Sequence, residues 1–180
     1  MDAPLVHLNP AEVDLVWQLA RRRRFKNLRE GRTETQGAPV EGRWDRELEG
    51  LGAECAAAKL LGIYFDGQHD DDKAPDVGPF EIRQTRFEDG CLRLYRSDQD
   101  ERIALLFVGL LPNFRFGGWI RGADGKRDHY WNKGRDRQPC FHVPQSDLAA
   151  WETLPWDFEH HCLLRSERKR HEHAEPHPAQ

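Results

Sequence analysis

The stretch "PDVGPFEIRQT" (75–85) sets Asp76 and Glu81 five positions apart, with Arg83 two positions after the glutamate. Side chains alternate faces along a strand, so Glu81, Arg83 and Thr85 share one face and Phe80, Ile82 and Gln84 the other. Asp76 sits at a Pro-Asp turn just before, where its carboxylate can reach the same end of a sheet. Hard divalent ions take oxygen ligands and are usually held by one or two carboxylates plus phosphate and water. Asp76, Glu81 and the main-chain carbonyl of Ile82 therefore form a candidate magnesium site, with manganese a possible occupant. A solvated polar hairpin edge is the competing account of the same residues.

A third carboxylate comes from a helix expected over 44–61, "WDRELEGLGAECAAAKLL". At about 100° per residue, Trp44, Leu48, Leu51, Cys55, Ala58 and Leu61 fall in one apolar arc that also contains Glu47 and Glu54. A carboxylate in an apolar stripe is costly unless something pairs it. Glu54 either completes a metal site with Asp76 and Glu81 or pairs with an arginine at the edge of the core. Gly50 and Gly52, with Ala53, Ala56 and Ala57, would let this helix lie close to a sheet. Lys59 points away from Glu54.

The other elements follow from punctuation and periodicity. Asn9, Pro10 and Glu12 read as a helix start, an N-cap followed by proline and an acid that bonds back. This helix spans about 10–30, with Val13, Val16, Trp17 and Ala20 on its apolar face. Gly62 suits the stop of the second helix. Strands are expected at "IYFD", "FEIRQT", "CLRLY", "RIALLFVGLL", "FRFGGWI" and "CFHV", with turns at "EDG" and "SDQD". A short helix from Ser146 fits "SDLAAWETL". Helices followed by a run of antiparallel strands give an α+β order. Residues 1–164 read as one domain, and 165–180 as a disordered tail with almost nothing to bury.

A helix with an inward Glu, a strand, "PD…ExR" and further strands resembles the PD-(D/E)XK nuclease superfamily. Residues 47–121 carry the likeness, and the continuation to "FHVPQSDLAAWETL" is similar to small phage-type members. The resemblance implies a restriction-endonuclease-like core with a central mixed β-sheet flanked by helices. It implies Asp76, Glu81 and Glu54 as metal-binding catalytic residues, DNA as substrate, and hydrolysis of its phosphodiester bonds. Gln84, after the motif, is also common in nuclease members and is a candidate DNA contact. Arg83 stands where the family has lysine. Arginine stays charged, so Arg83 is no general base, but it can clamp phosphate or stabilise transition-state charge. Two readings stay open: an active nuclease, or a degenerate domain that binds DNA or a protein partner without cutting. A phage assembly or interaction protein that kept only the fold is a third.

Seven basic residues against one acid occupy "RRRRFKNLREGR" (21–32). Such a cluster neutralises phosphates regardless of base sequence. Arg22, Arg23 and Lys26 are the candidate contacts there, with Lys73 in the loop before Asp76. A solvated basic face is the alternative.

Composition excludes several classes. Four widely spaced cysteines without a CxxC pair do not form a zinc site or a disulfide framework. No apolar run approaches the ~18 residues of a membrane span, and the N-terminus does not read as a signal peptide. The charged fraction is 32% and the net charge −4, which fits a highly soluble domain. The expected location is the cytoplasm, with a homo-oligomer or a phage or host protein as possible partners.

Overall fold

The computed structural model describes residues 3–29, 31, 43–65, 67, 74–134 and 138–156. The predicted tail at 165–180 and Lys73 lie outside these residues, and so does Asp66, the last residue of the "IYFD" strand. Residues 63–65 of that segment are not in a strand.

Helix α1 spans Pro10–Arg29. Its start is a closed capping box: the Asn9 N–H donates to Glu12 Oε2 at 2.7 Å and the Glu12 N–H to Asn9 Oδ1 at 3.0 Å. Val16 and Ala20 are buried and Val13 packs against the core, as the sequence suggests, whereas Trp17 stays 50% exposed and Leu19 is buried instead. Helix α2 spans Arg43–Leu61. It ends where Gly62 takes φ +66°, with the Ile63 N–H bonded to Ala58 O (2.8 Å) and the Gly62 N–H to Lys59 O (3.3 Å). Those two bonds satisfy carbonyls the last turn would otherwise strand. Lys59 bonds the Glu12 carboxylate and the His7 carbonyl, pinning both helices to the first strand.

The main sheet is mixed. Strands β1 (Leu5–His7), β2 (Phe80–Thr85), β4 (Ile103–Leu110) and β5 (Asn113–Arg121) lie in the order β1-β5-β4-β2. β4 pairs antiparallel with β5, and β5 with β1, but β2 pairs in parallel with β4, Phe80 opposite Ile103 and Thr85 opposite Val108. A uniformly antiparallel run is therefore not what forms. Parallel neighbours need a crossover, and residues 86–102 provide it by way of β3 (Leu92–Leu94). That strand joins a second, small sheet with β6 (Trp131–Asn132) and β7 (Cys140–Val143), ordered β3-β7-β6.

Alternation along β4 builds three layers. Leu105 and Phe107 pack toward the helices with Phe80, Ile82, Phe114 and Phe116. Ala104, Leu106 and Val108 face the small sheet with Leu92, Leu94, Phe141 and Val143. The α2 helix is buried well beyond one stripe, since Leu51, Ala53, Cys55, Ala56, Ala57 and Ala58 are all inaccessible or nearly so, while Trp44 is outside. Small residues allow that closeness: a Cβ on Gly52 would come within 3.0 Å of the Phe114 ring and 3.1 Å of Leu111 Cδ1.

The helix expected from Ser146 does not form. Single 3₁₀ turns occur at Gln145–Asp147 and Trp151–Thr153. Between them Ala149 exchanges both main-chain hydrogen bonds with Trp119 (2.8 and 3.0 Å), so this backbone extends a sheet edge instead of coiling. The segment carries Trp151 onto Phe116 (ring centroids 5.3 Å) and Trp156 onto Phe80 (5.2 Å), closing the helical side of the core.

Candidate active site

β2 is an edge strand, and its two faces have opposite characters. Phe80 and Ile82 are buried toward the helices. Glu81 and Arg83, one residue out of phase, project toward the crossover and the small sheet. Asp76 lies along the open edge between those faces. A tight turn, closed by the mutual main-chain bonds of Val77 and Phe80 (3.1 and 3.0 Å), folds Asp76 back beside the strand. Its Oδ2 accepts the Ile82 N–H at 2.7 Å. The carboxylate thereby occupies an edge donor that the sheet leaves unpaired.

Arg83 is held at several points. Its Nη2 donates to Asp98 Oδ2 at 3.0 Å and its Nε to the Arg93 carbonyl at 3.2 Å. Its Nη1 lies 3.1 Å from the Ile82 carbonyl, 3.4 Å from Glu81 Oε2 and 3.6 Å from Asp76 Oδ2. Burial opposes its charge, but Asp98, Asp76 and Glu81 outweigh that and raise its pKa above the usual arginine value. The other oxygen of Glu81 is bonded by Arg102. Asp98 also accepts the Tyr95 N–H at 2.9 Å, so it fastens its own turn and Arg83 together.

Glu54 approaches from the helical side and is only 8% exposed. Arg23 of α1 meets it with both terminal nitrogens, at 3.2 and 2.9 Å. The arginine partner that the sequence offers as the alternative role for Glu54 is thus present. Glu54 still acts on the site: burial first, then the charges of Glu54 and Glu81, push the Asp76 carboxyl up to about 6 against the opposing pull of the Ile82 N–H and Arg83.

Asp76, Glu81, Ile82 and Arg83 are therefore brought together, and Glu54 reaches Asp76 through its field. The remaining candidates are dispersed. Gln84 shares a face with Phe80 and Ile82, and its amide donates to the Gly109 carbonyl at 2.7 Å within the sheet. Arg23 is committed to Glu54, Arg22 is exposed on α1, and Lys26 is half-buried. Asp98 and Arg102 complete the network, and sequence reasoning does not find either. The "SDQD" turn signal is legible, but not where its aspartate points.

The donor set suits a hard dication: two carboxylates and a carbonyl gather around one positive point. That point is the Arg83 Nη1 nitrogen. Among the described residues, no three Asp, Glu, His or Cys side chains already stand in coordinating geometry. An ion taking these oxygens has to move the guanidinium aside. No protein-family model, curated protein or solved structure matches the chain. Among the described residues no helix is long and apolar enough to cross a membrane.

Proposed function

We propose that this chain is a metal-dependent nuclease with a restriction-endonuclease-like core, hydrolysing DNA phosphodiester bonds in the cytoplasm. One observation carries the reading: Asp76, Glu81 and the Ile82 carbonyl converge on a single cationic point while Glu54 bears on the same aspartate. Asp76 and Glu81, with the Ile82 carbonyl, would hold magnesium or manganese, and Glu54 would add negative charge behind them. The bound ion would supply Lewis acidity toward a phosphate oxygen and acidify water. Arg83, permanently charged, would neutralise the phosphate and the charge that grows on it in the transition state. Burial, then the Glu54 charge, pushes the Asp76 carboxyl up to about 6, and an ion bound there would favour its ionised form.

The test is cleavage of linear, circular and single-stranded DNA with magnesium or manganese, comparing wild type with Glu81→Gln. Abolished cleavage with DNA binding largely retained supports the assignment. Equal cleavage by the two proteins places the activity elsewhere.

A second reading, a domain that binds DNA or a protein without cutting, is favoured by the position of the Arg83 nitrogen. An arginine anchored by Asp98 and the Arg93 carbonyl resembles an internal replacement for the ion. Cleavage by Arg83→Lys alone, with none by wild type, would select it.

A further inference from the structure

The turn that fixes Arg83 has an outer side. The Asp98 N–H bonds the Tyr95 carbonyl at 3.1 Å, which folds Tyr95–Asp98 into a tight turn with Arg96 and Ser97 at its tip. Lys126 braces this turn through the Asp98 carbonyl and the Asp100 carboxylate. Arg96 and Ser97 line an open cavity of about 430 Å³ with Trp131, Gln138 and Pro139. The Arg96 guanidinium sits over the Trp131 ring, 4.4 Å from its centroid. Trp131 packs beside its cross-strand partner Phe141, with centroids 4.8 Å apart and planes tilted by 60°.

We infer that the Arg96–Trp131 cavity is a nucleobase subsite, taking one unstacked base of a single-stranded or frayed DNA substrate next to the acid site. This rests on the nuclease reading above and specifies its substrate. A flat base stacks on an indole face and on a planar guanidinium alike. The Arg96 side chain is exposed and can lift to admit a base between itself and Trp131. Ser97 and Gln138 offer hydroxyl and amide groups to the base edge, and among the described residues no carboxylate lines the cavity. Bases inside a duplex keep their faces stacked on one another, so a site of this kind selects single strands. The turn links the two functions: its inner side holds Arg83 through Asp98, and its tip holds the base.

Fluorescence anisotropy with one labelled oligodeoxynucleotide, single-stranded or annealed to its complement, tests this in EDTA so that no cleavage intrudes. Trp131→Ala should weaken single-strand binding by roughly 5- to 100-fold and duplex binding by less than ~2-fold. Arg96→Ala should weaken single-strand binding in the same direction. Trp131→Phe keeps a stacking ring and should restore most of the affinity, which separates stacking from damage to the fold. Unchanged single-strand binding in Trp131→Ala overturns the subsite. So does an equal loss on both DNAs that Trp131→Phe fails to restore. If wild type binds duplex only, or neither DNA, the subsite falls, and the cleavage comparison of wild type with Glu81→Gln decides the nuclease reading separately.

Discussion

The Nη1 nitrogen of Arg83 lies 3.6 Å from Oδ2 of Asp76, at the place where Glu81 and the Ile82 carbonyl also arrive. A hard dication bound as proposed would therefore compete with the guanidinium for the same oxygens. The balance between them would decide whether the proposed site admits metal.

Arg83→Lys should bind magnesium at least as tightly as wild type by calorimetry and keep any cleavage activity, because an ammonium forms fewer of these fixed bonds. Arg83→Ala should also admit the ion but lose ~10²–10³ in rate, the usual cost of removing a group aimed at transition-state charge. Weaker magnesium binding in both variants would contradict the competition.

Asp76 makes stability depend on pH with a definite sign. Its folded pKa of about 6 exceeds the ordinary 3.8, so between those values the folded chain holds a proton the unfolded chain has released. Stability from this group is full below 3.8, falls as pH rises through about 6, and then stays low. Asp76→Asn removes the penalty and should stabilise the chain by roughly 1–3 kcal/mol in mildly alkaline buffer. It should have little effect in acid, and it should lower divalent-ion affinity. Parallel thermal melts in the two buffers check this, and an equal effect in both would refute it.

The Arg23–Glu54 pair should matter to folding more than to DNA contact. Glu54 is largely buried, and Arg23→Ala takes away its bidentate partner, so a loss of about 3 kcal/mol is expected by denaturant titration. Adding Glu54→Gln to that variant should recover part of the loss. A double variant no more stable than Arg23→Ala would show that the pair is not what stabilises this junction.

Arg23 being committed inward, the exposed Arg21, Arg22 and Arg29 are cations of the basic run to test against phosphate. Replacing each by alanine should reduce the slope of log affinity against log salt by up to ~0.9 for every phosphate that the side chain neutralises. An unchanged slope would assign that surface to solvent.

Much of the site is legible in the sequence because its signals are local. The Asn9–Glu12 capping box, the Gly62 stop and the alternation of "FEIRQT" each depend on a few neighbouring residues. What is not legible depends on distant partners. Four consecutive arginines point around the whole helix, and only the packing of α1 on α2 selects Arg23 to meet Glu54. The roles of Asp98 and Arg102 follow from a crossover that swings through a second sheet before returning to pair with β2. "SDLAAWETL" has a helical pattern, yet the main-chain bonds Trp119 offers to Ala149 outweigh it.

The parallel pairing of β2 with β4 also sets an order of assembly. β4 and β5 are neighbours in sequence and can zip together at small entropic cost, whereas β2 docks only after residues 86–102 have closed a long loop. Asp76, Glu81 and Arg83 all lie at that strand, so the loop-closure argument predicts that the carboxylate cluster forms after the β4–β5 hairpin. β2 is an edge strand with ladder partners on one side, which gives it a shallower hold than the central β4. Native-state amide exchange should show Ile82 opening at lower free energy than Leu105. A cation or DNA bound across the cluster should slow exchange at β2 ahead of the rest of the sheet.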